Sequence, residues 1–283
     1  MTRARQDLKY YGAIALGTAA VVVGILVRGQ RRSVAAEPPL PPPDAGQDIV
    51  AWCADGLEPI AGGGCFAEPS EPKEDPVPLI VYLHGRFPQS VAADELDRQA
   101  RVARMGTEHG YAVLALRGTR GQCTDPKLAD YICWPSNERN AGDGPAFVAR
   151  WQSAFSAVEE RIGKGRRLLL GFSNGGYFAT LIATRALSPF DAVVIAHAGP
   201  VAPTRAIGEK IPLLLITADD DPSNDEMMRL SGELARETWP AEIVTRESGY
   251  GHALPNWDID MALTFFTRVR TEDIPLDPPL STR

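Results

Sequence analysis

A serine stands at the centre of the most informative motif in the sequence. Residues 171–176 read Gly-Phe-Ser-Asn-Gly-Gly, which contains the pattern Gly-x-Ser-x-Gly around Ser173. In a tight turn from a strand into a helix, this pattern points the serine hydroxyl outwards, and the glycines avoid clashes where strand and helix nearly touch. A helix that merely begins with small residues is the alternative interpretation. The chemistry indicated is nucleophilic attack by a serine, which needs a general base and an acid nearby.

One of the four histidines suits the role of that base. His252 lies in the glycine-containing loop 248–253, after the last predicted strand, from where it can reach over the sheet to Ser173. A histidine of a surface loop is the alternative. Of the other three, His84 is expected to shape a loop and His109 to be solvated at the surface. His197 is expected to be a hydrogen-bonded core residue or part of the cleft floor.

Three consecutive aspartates, residues 219–221, follow the fifth predicted strand and precede a proline. A run of charges usually marks a solvated loop, but a histidine base needs one carboxylate to orient its ring. We predict Asp221 as this acid, because the proline biases it to extended backbone just ahead of residues 223–226, a capping box that starts a helix. The chain order is then Ser173, Asp221, His252.

Strand and helix patterns alternate from residue 77 to the end of the chain. Continuous apolar runs predict strands at 78–83, 111–116, 167–171, 191–196, 211–217 and 242–245. Helical patterns cover 93–108, 145–162, 174–187, 224–238 and 257–270. The predicted fold class is therefore α/β, a mostly parallel sheet with helices on both faces. Ligands bind beyond the carboxyl ends of such strands, where the loops carrying Ser173, Asp221 and His252 should meet.

Further motifs accompany the serine. They are Leu-His-Gly at 83–85, Gly-Tyr-Ala-Val at 110–113, and the apolar run 213–216 with Asp-Pro after it. With these motifs, residues 77–272 resemble a serine hydrolase of the α/β-hydrolase fold. The resemblance implies an oxyanion hole formed by the backbone N–H groups of Arg86 and Asn174, and it implies no metal or organic cofactor.

Two details bear on this resemblance. The stretch Tyr-Ile-Cys-Trp at 131–134 is faintly similar to secreted polyhydroxyalkanoate depolymerase-type esterases, whereas Thr217-Ala218 stands where many relatives have a glycine. The expected activity is hydrolysis of a small-molecule carboxylic ester through an acyl-enzyme. A peptidase or thioesterase with the same three residues is the alternative, as is a catalytically silent binding domain. Only residues 117–140 are free to cap the site, so we expect an open cleft and a modest substrate.

The first 47 residues are not expected to belong to this fold. A basic segment, 1–9, precedes a charge-free apolar run, 10–27, which is just long enough for a transmembrane or signal-anchor helix. A Pro-rich linker follows at 28–47, and the hydrolase domain covers 48–283. Cleavage of a signal peptide after a small-residue site at 34–36 is the alternative, which would make the protein secreted.

The four cysteines are predicted to form two local disulfides, Cys53–Cys65 and Cys123–Cys133. A four-cysteine zinc site is the rival, but neither pair has the usual ligand spacing. Four reduced thiols in a cytoplasmic domain are the other alternative. Bridges favour a membrane-anchored protein whose catalytic domain lies outside the cytoplasm, in the periplasm or the extracellular space.

Composition and charge exclude other classes of protein. A hydrophobic fraction of 44% with 23% charged residues excludes a wholly disordered or collagen-like chain. The net charge of −7 leaves no basic field that could hold phosphates. We therefore expect a small-molecule ester and, through the N-terminal helix, a membrane as partners, and no nucleic acid.

Overall fold

The structure is a computed structural model that describes residues 52–88, 90, 92–185, 187–201 and 210–271. All of them belong to one compact unit, Pro42–Arg283. The predicted basic segment 1–9, membrane segment 10–27, linker 28–47 and cleavage site lie outside the described residues. Among the residues that are described, none of the helices combines the length and the apolar character needed to cross a membrane.

The strands follow the predicted apolar runs, with short additions. In chain order they are β1 (Glu58–Ile60), β2 (Gly64–Ala67), β3 (Leu79–Leu83), β4 (Phe87–Pro88), β5 (Ala112–Leu116), β6 (Tyr131–Ile132), β7 (Arg167–Phe172), β8 (Ala192–Ala196), β9 (Leu213–Ala218) and β10 (Ala241–Arg246). Within the described part of the chain, one sheet has the order β1-β2-β5-β3-β7-β8-β9-β10, and β4 pairs with β6.

The pairing within the main sheet is parallel from β5 to β10. Every residue of β3, β5, β8 and β9 is buried. Strands buried at consecutive positions must be covered on both faces, which is why their sequences are continuously apolar rather than alternating. The predicted mostly parallel α/β sheet is therefore confirmed.

The helices are α1 (Ala93–Glu108), α2 (Gly144–Arg150), α3 (Gln152–Ile162), α4 (Asn174–Thr184), α5 (Asn224–Arg236) and α6 (Asn256–Thr271). The single helix predicted at 145–162 is wrong in one respect, because Trp151 separates it into α2 and α3. Gly163, with a φ of 77°, then ends α3. That left-handed conformation is one that glycine adopts without strain.

The predicted capping box at 223–226 is also wrong. Ser223 does stand at the N-cap of α5, but its side chain makes no capping hydrogen bond. Its hydroxyl donates instead to Oδ1 of Asp221 at 2.6 Å. This hydrogen bond turns the hydroxyl toward the loop before α5, and its oxygen does not accept from an amide of the first helical turn.

The strands that the sequence analysis missed lie at the margins of the fold. β1 and β2 form an antiparallel hairpin that extends the sheet through an antiparallel pairing of β2 with β5. The short β4–β6 pair joins the segment after His84 to the loop that follows β5. β1 and β2 lie at one edge of the sheet, and the β4–β6 pair lies beside the carboxyl-end loops. The functional residues follow β7, β9 and β10, which are strands that the sequence predicts.

Candidate active site

Ser173 occupies the sharp turn between β7 and α4. Its φ is 53°, a left-handed conformation that is uncommon for a residue with a side chain. The turn is held because the Ser173 amide donates to the carbonyl of Ala196 at 2.8 Å. An added Cβ on Gly175 would overlap the carbonyl oxygens of Leu83 and His84, so only glycine lets α4 approach β3 this closely. The strained turn leaves the serine half-buried with its hydroxyl free to meet a base.

The structure brings Ser173, His252 and Asp221 into one hydrogen-bonded line. Nε2 of His252 lies 2.7 Å from Oγ of Ser173. Its Nδ1 lies 2.9 Å and 3.1 Å from the two carboxylate oxygens of Asp221. Serine, imidazole and carboxylate in this order can remove the serine proton and stabilise the imidazolium that results.

Asp221 is buried and accepts hydrogen bonds from several sides. Besides His252, it accepts from Nδ1 of His197 at 2.6 Å and from the amide of Ser223 at 2.6 Å. Burial alone would raise the pKa of Asp221, but the hydrogen bonds from both histidines and from Ser223 outweigh it and hold that pKa well below its usual range. The carboxylate is therefore ionised at neutral pH.

The neighbouring aspartates have other tasks. Oδ2 of Asp220 accepts from the amides of Gly249 and Gly251 at 2.8 Å and 3.1 Å, which fastens the loop that carries His252. The amide of Asp219 donates to the carbonyl of Arg246 and so continues the pairing of β9 with β10. Of the three aspartates, Asp221 alone contacts the imidazole of His252.

His197 is the buried, hydrogen-bonded histidine that the sequence predicts. Its second ring nitrogen, Nε2, lies 2.8 Å from Oδ2 of Asp258, and Oδ1 of that residue accepts from Nε of Arg246 at 3.2 Å. The sequence holds no signal for this contact, because Asp258 reads as an ordinary acid in the first turn of α6. The burial of Asp258 arises only when α6 packs against the sheet.

Three side chains of the site lie close enough together to be considered as ligands of a metal ion. The donor atoms of His197, Asp221 and His252 all lie within 4.8 Å of one another. The ring nitrogens that face Asp221 are already used in hydrogen bonds to its carboxylate. The donor set therefore suits proton transfer better than metal ligation.

His84 organises the loop opposite the histidine base, as its position predicts. Its Nδ1 donates to the carbonyl of Gly85 at 2.6 Å and its Nε2 accepts from the amide of Gly118 at 2.9 Å. One ring nitrogen donates and the other accepts, so the ring is neutral. Burial among aromatic rings lowers the pKa of His84 to about 3. The carbonyl of His84 in turn accepts from the indole of Trp134 at 3.0 Å.

Arg86 and Asn174, the two predicted oxyanion residues, line the same cleft as Ser173. Arg86 is exposed two residues beyond His84, and Asn174 begins α4 directly after the serine. The Asn174 side chain accepts from the amide of Trp134 at 2.7 Å, which joins the start of α4 to the loop that follows β5.

The cleft beside Ser173 has a volume of about 380 Å³. Nine residues line it: Arg86, Ser136, Ser173, Asn174, Tyr177, Pro222, Ser223, Glu226 and His252. The hydroxyl of Tyr177 donates to Glu226, and burial together with this carboxylate raises the pKa of Tyr177 well above its usual range. The cleft thus presents a permanently neutral phenol, a cation and an anion to whatever enters it.

Two disulfides are present, with the predicted pairing. The Cα atoms of Cys53 and Cys65 are 5.3 Å apart, and those of Cys123 and Cys133 are 5.4 Å apart. The second bridge ends at Cys133, one residue before Trp134, whose amide donates to the side chain of Asn174. In the chain-entropy model, closing a loop of this length stabilises the fold by about 2.5–3 kcal/mol.

No protein-family model and no curated protein matches the sequence. Several solved structures do resemble the fold. The esterase PE8 is 18% identical with a TM-score of 0.53, over 75% of this chain and 99% of that one. A carboxylesterase from Mesorhizobium loti gives the same identity, coverage and TM-score, and one from Bacillus cereus is 16% identical over 73% and 93% with a TM-score of 0.52. From its sheet order, its serine turn and these likenesses, the chain has the α/β-hydrolase fold.

Proposed function

We propose that the protein is a serine hydrolase that cleaves carboxylic esters through an acyl-enzyme intermediate. The observation that carries this proposal is the hydrogen-bonded line from Ser173 through His252 to Asp221. The serine sits in a strained turn at the carboxyl end of the sheet, where enzymes of this architecture bind ligands. Solved structures with the same fold include proteins named as esterases and carboxylesterases, which agrees with this activity.

The proposed reaction has two halves. In the first, Nε2 of His252 takes the proton of Ser173 while Oγ attacks the ester carbonyl, and the oxyanion accepts hydrogen bonds from the backbone N–H groups of Arg86 and Asn174. His252 then gives its proton to the departing alcohol, which leaves the acyl group on the serine. In the second half, His252 takes a proton from water, the hydroxide attacks the acyl carbonyl, and the acid is released with the serine restored.

The cleft favours a small substrate with polar groups. A volume of about 380 Å³ lies at the lower end of the range for small-molecule sites. A cleft of this size leaves little room for a long alkyl chain, and its lining includes the charged side chains of Arg86 and Glu226. We therefore propose short-chain esters as the substrates, in agreement with the open cleft and modest substrate that the sequence indicates.

Labelling with a fluorophosphonate probe tests the nucleophile. We expect the wild-type protein to be labelled on Ser173 and the Ser173→Ala variant to remain unlabelled, because the probe reacts only with an activated serine. Ser153→Ala is a matched control, since Ser153 is an exposed serine on α3 outside the cleft lining. An unlabelled wild-type protein that binds a ligand in the cleft would indicate a silent binding domain instead.

The bond that is cleaved is tested with matched chromogenic substrates. We expect the highest kcat/KM for esters with short acyl chains, and lower values for long-chain esters, thioesters and amides. Ser173→Ala serves as the blank for background hydrolysis. Faster cleavage of amides or thioesters than of the matched esters would assign the protein to the peptidase or thioesterase alternative.

We also propose that residues 10–27 anchor the protein in a membrane and that the hydrolase domain works outside the cytoplasm. The two disulfides support this location, because such bridges persist mainly in oxidising compartments. Secretion after cleavage near residues 34–36 is the alternative. Fractionation of cells, followed by N-terminal sequencing of the mature protein, distinguishes the two.

The disulfides make a direct prediction about the purified protein. Unreduced, denatured protein is expected to show no free thiol, and the reduced protein four, because all four cysteines are paired. Titration with a chromogenic disulfide reagent before and after reduction measures both states. Four free thiols before reduction would contradict the bridges and would remove the support that they give to an extracytoplasmic location.

A further inference from the structure

His197 lies behind the acid of the site, at the end of β8. The residue has a φ of 54°, and its amide donates to the carbonyl of Ile216 at 2.8 Å, which holds it in this left-handed conformation. Its side chain is completely buried. Nδ1 faces Oδ2 of Asp221 at 2.6 Å and Nε2 faces Oδ2 of Asp258 at 2.8 Å. The ring therefore bridges two buried carboxylates.

The two contacts determine the protonation of this ring. An ionised carboxylate only accepts hydrogen bonds, and a neutral imidazole has a single N–H to donate. Asp221 is ionised by the donors around it, and Asp258 accepts from the guanidinium of Arg246. Both ring nitrogens must then carry protons, which makes His197 an imidazolium. In agreement, the two carboxylates raise the pKa of His197 although burial opposes them.

The charged groups form an alternating series that returns to the base. Asp221 is negative, His197 positive, Asp258 negative and Arg246 positive, and Nη2 of Arg246 lies 3.5 Å from the carbonyl of Gly251 in the loop that carries the base. The titratable and charged groups that face His197 are thus the two carboxylates, Arg246 behind Asp258, and His252, whose ring centroid is 6.0 Å away.

We propose that His197 is a positioning residue of this hydrolase: an imidazolium whose hydrogen bond fixes the carboxylate of Asp221 toward His252. The inference rests on the proposed function, since it assigns a role in the same reaction. It adds a fourth side chain to the serine, histidine and aspartate, and it makes Asp258 and Arg246 the supports that keep this side chain charged.

Two substitutions of His197 separate positioning from a merely structural role. The side-chain nitrogen of asparagine replaces Nδ1 and keeps the hydrogen bond to Asp221, whereas that of glutamine replaces Nε2 and keeps only the one to Asp258. We expect His197→Gln to lower kcat by about 10- to 100-fold, the rate equivalent of one charge-assisted hydrogen bond, and His197→Asn to lower it by less than about tenfold. KM should stay unchanged in both.

The rates are expressed per serine labelled by the fluorophosphonate, so that loss of folded protein does not count as loss of kcat. Unchanged kcat per labelled serine in both variants would overturn the proposal. If the variants do not fold, nitrogen-15 NMR of the wild-type histidines decides. Two protonated ring nitrogens on His197 at neutral pH support the proposal, and a neutral ring overturns it. An unlabelled wild-type protein would instead mean that the proposed hydrolase activity itself is wrong.

Discussion

Asp221→Asn is expected to lower kcat by about 10⁴-fold, the loss known for the corresponding change in serine proteases. In the structure, one carboxylate accepts from Nδ1 of His252 and from Nδ1 of His197. An amide has only one acceptor oxygen, so it would direct its NH2 group at one of the two rings and favour the wrong tautomer of the base. The measurement is kcat on a short-chain chromogenic ester across the neutral pH range.

The adjacent aspartates provide matched controls for this change. Asp219→Asn leaves the backbone pairing with Arg246 intact, and Asp220→Asn keeps one oxygen that can accept from the amides of Gly249 and Gly251. We expect both variants to retain kcat within about tenfold, since neither removes more than one neutral-strength hydrogen bond from the site. Equal small losses in all three variants would mean that another residue supplies the acid.

The second large effect concerns stability in acid and involves His84. The pKa of His84 falls from its ordinary 6.5 to about 3 because the ring is buried. Below pH 6.5 the unfolded chain therefore binds a proton that the folded domain excludes. The stabilisation contributed by the neutral ring is complete above pH 6.5 and is lost as the pH falls toward 3, at about 1.4 kcal/mol per pH unit and about 5 kcal/mol in all.

His84→Gln isolates this contribution. The glutamine carbonyl can still accept from the amide of Gly118, but it does not titrate. The difference in unfolding free energy between wild type and variant should change by about 5 kcal/mol between pH 6.5 and 3, in favour of the variant at low pH. Urea unfolding at a series of pH values measures it, and a pH-independent difference would contradict the buried neutral ring.

Glu95 makes the comparison with a variant necessary. Burial raises the pKa of Glu95 to about 7, against the opposing effect of Arg98. The folded domain then binds an extra proton between pH 4.5 and 7, so this carboxyl destabilises the fold as the pH rises through that interval, the opposite sense to His84. The pH dependence of wild-type stability contains the contributions of both His84 and Glu95. In the difference between wild type and His84→Gln, the contribution of Glu95 cancels.

The central strands could be predicted from the sequence because their environment demands an apolar residue at every position. The strand at 192–196 lies between β7 and β9 with both faces covered, so apolar residues do not alternate with polar ones along it. The strand ends where the apolar run ends. The glycine pattern around Ser173 is similarly constrained, because any side chain at Gly175 would overlap β3. Where packing tolerates only one type of residue, that residue type in the sequence indicates the structural position.

The parts that could not be predicted depend on side-chain and strand partners that residue types alone do not reveal. β1 is Glu-Pro-Ile with an exposed centre, a composition typical of a turn, and it is a strand only because β2 lies beside it. Ser223 has the spacing of a helix cap, yet its hydroxyl donates to Asp221 two residues earlier. Asp258 resembles any acid near a helix start until α6 places it against His197, which is 61 residues away in the chain.

The way in which the described sheet ends has a consequence for behaviour at high concentration. One border is β1, three residues long with Pro59 at its centre and therefore short of a backbone donor. The other is β10, where Glu242 is paired with Arg268 and keeps charge along the strand. Long, exposed, apolar edge strands pair with strands of other molecules and lead to aggregation. Edge strands that are short, contain proline or carry charge resist this pairing. The domain should therefore remain dispersed during refolding at high concentration, when its sheet is most exposed to copies of itself.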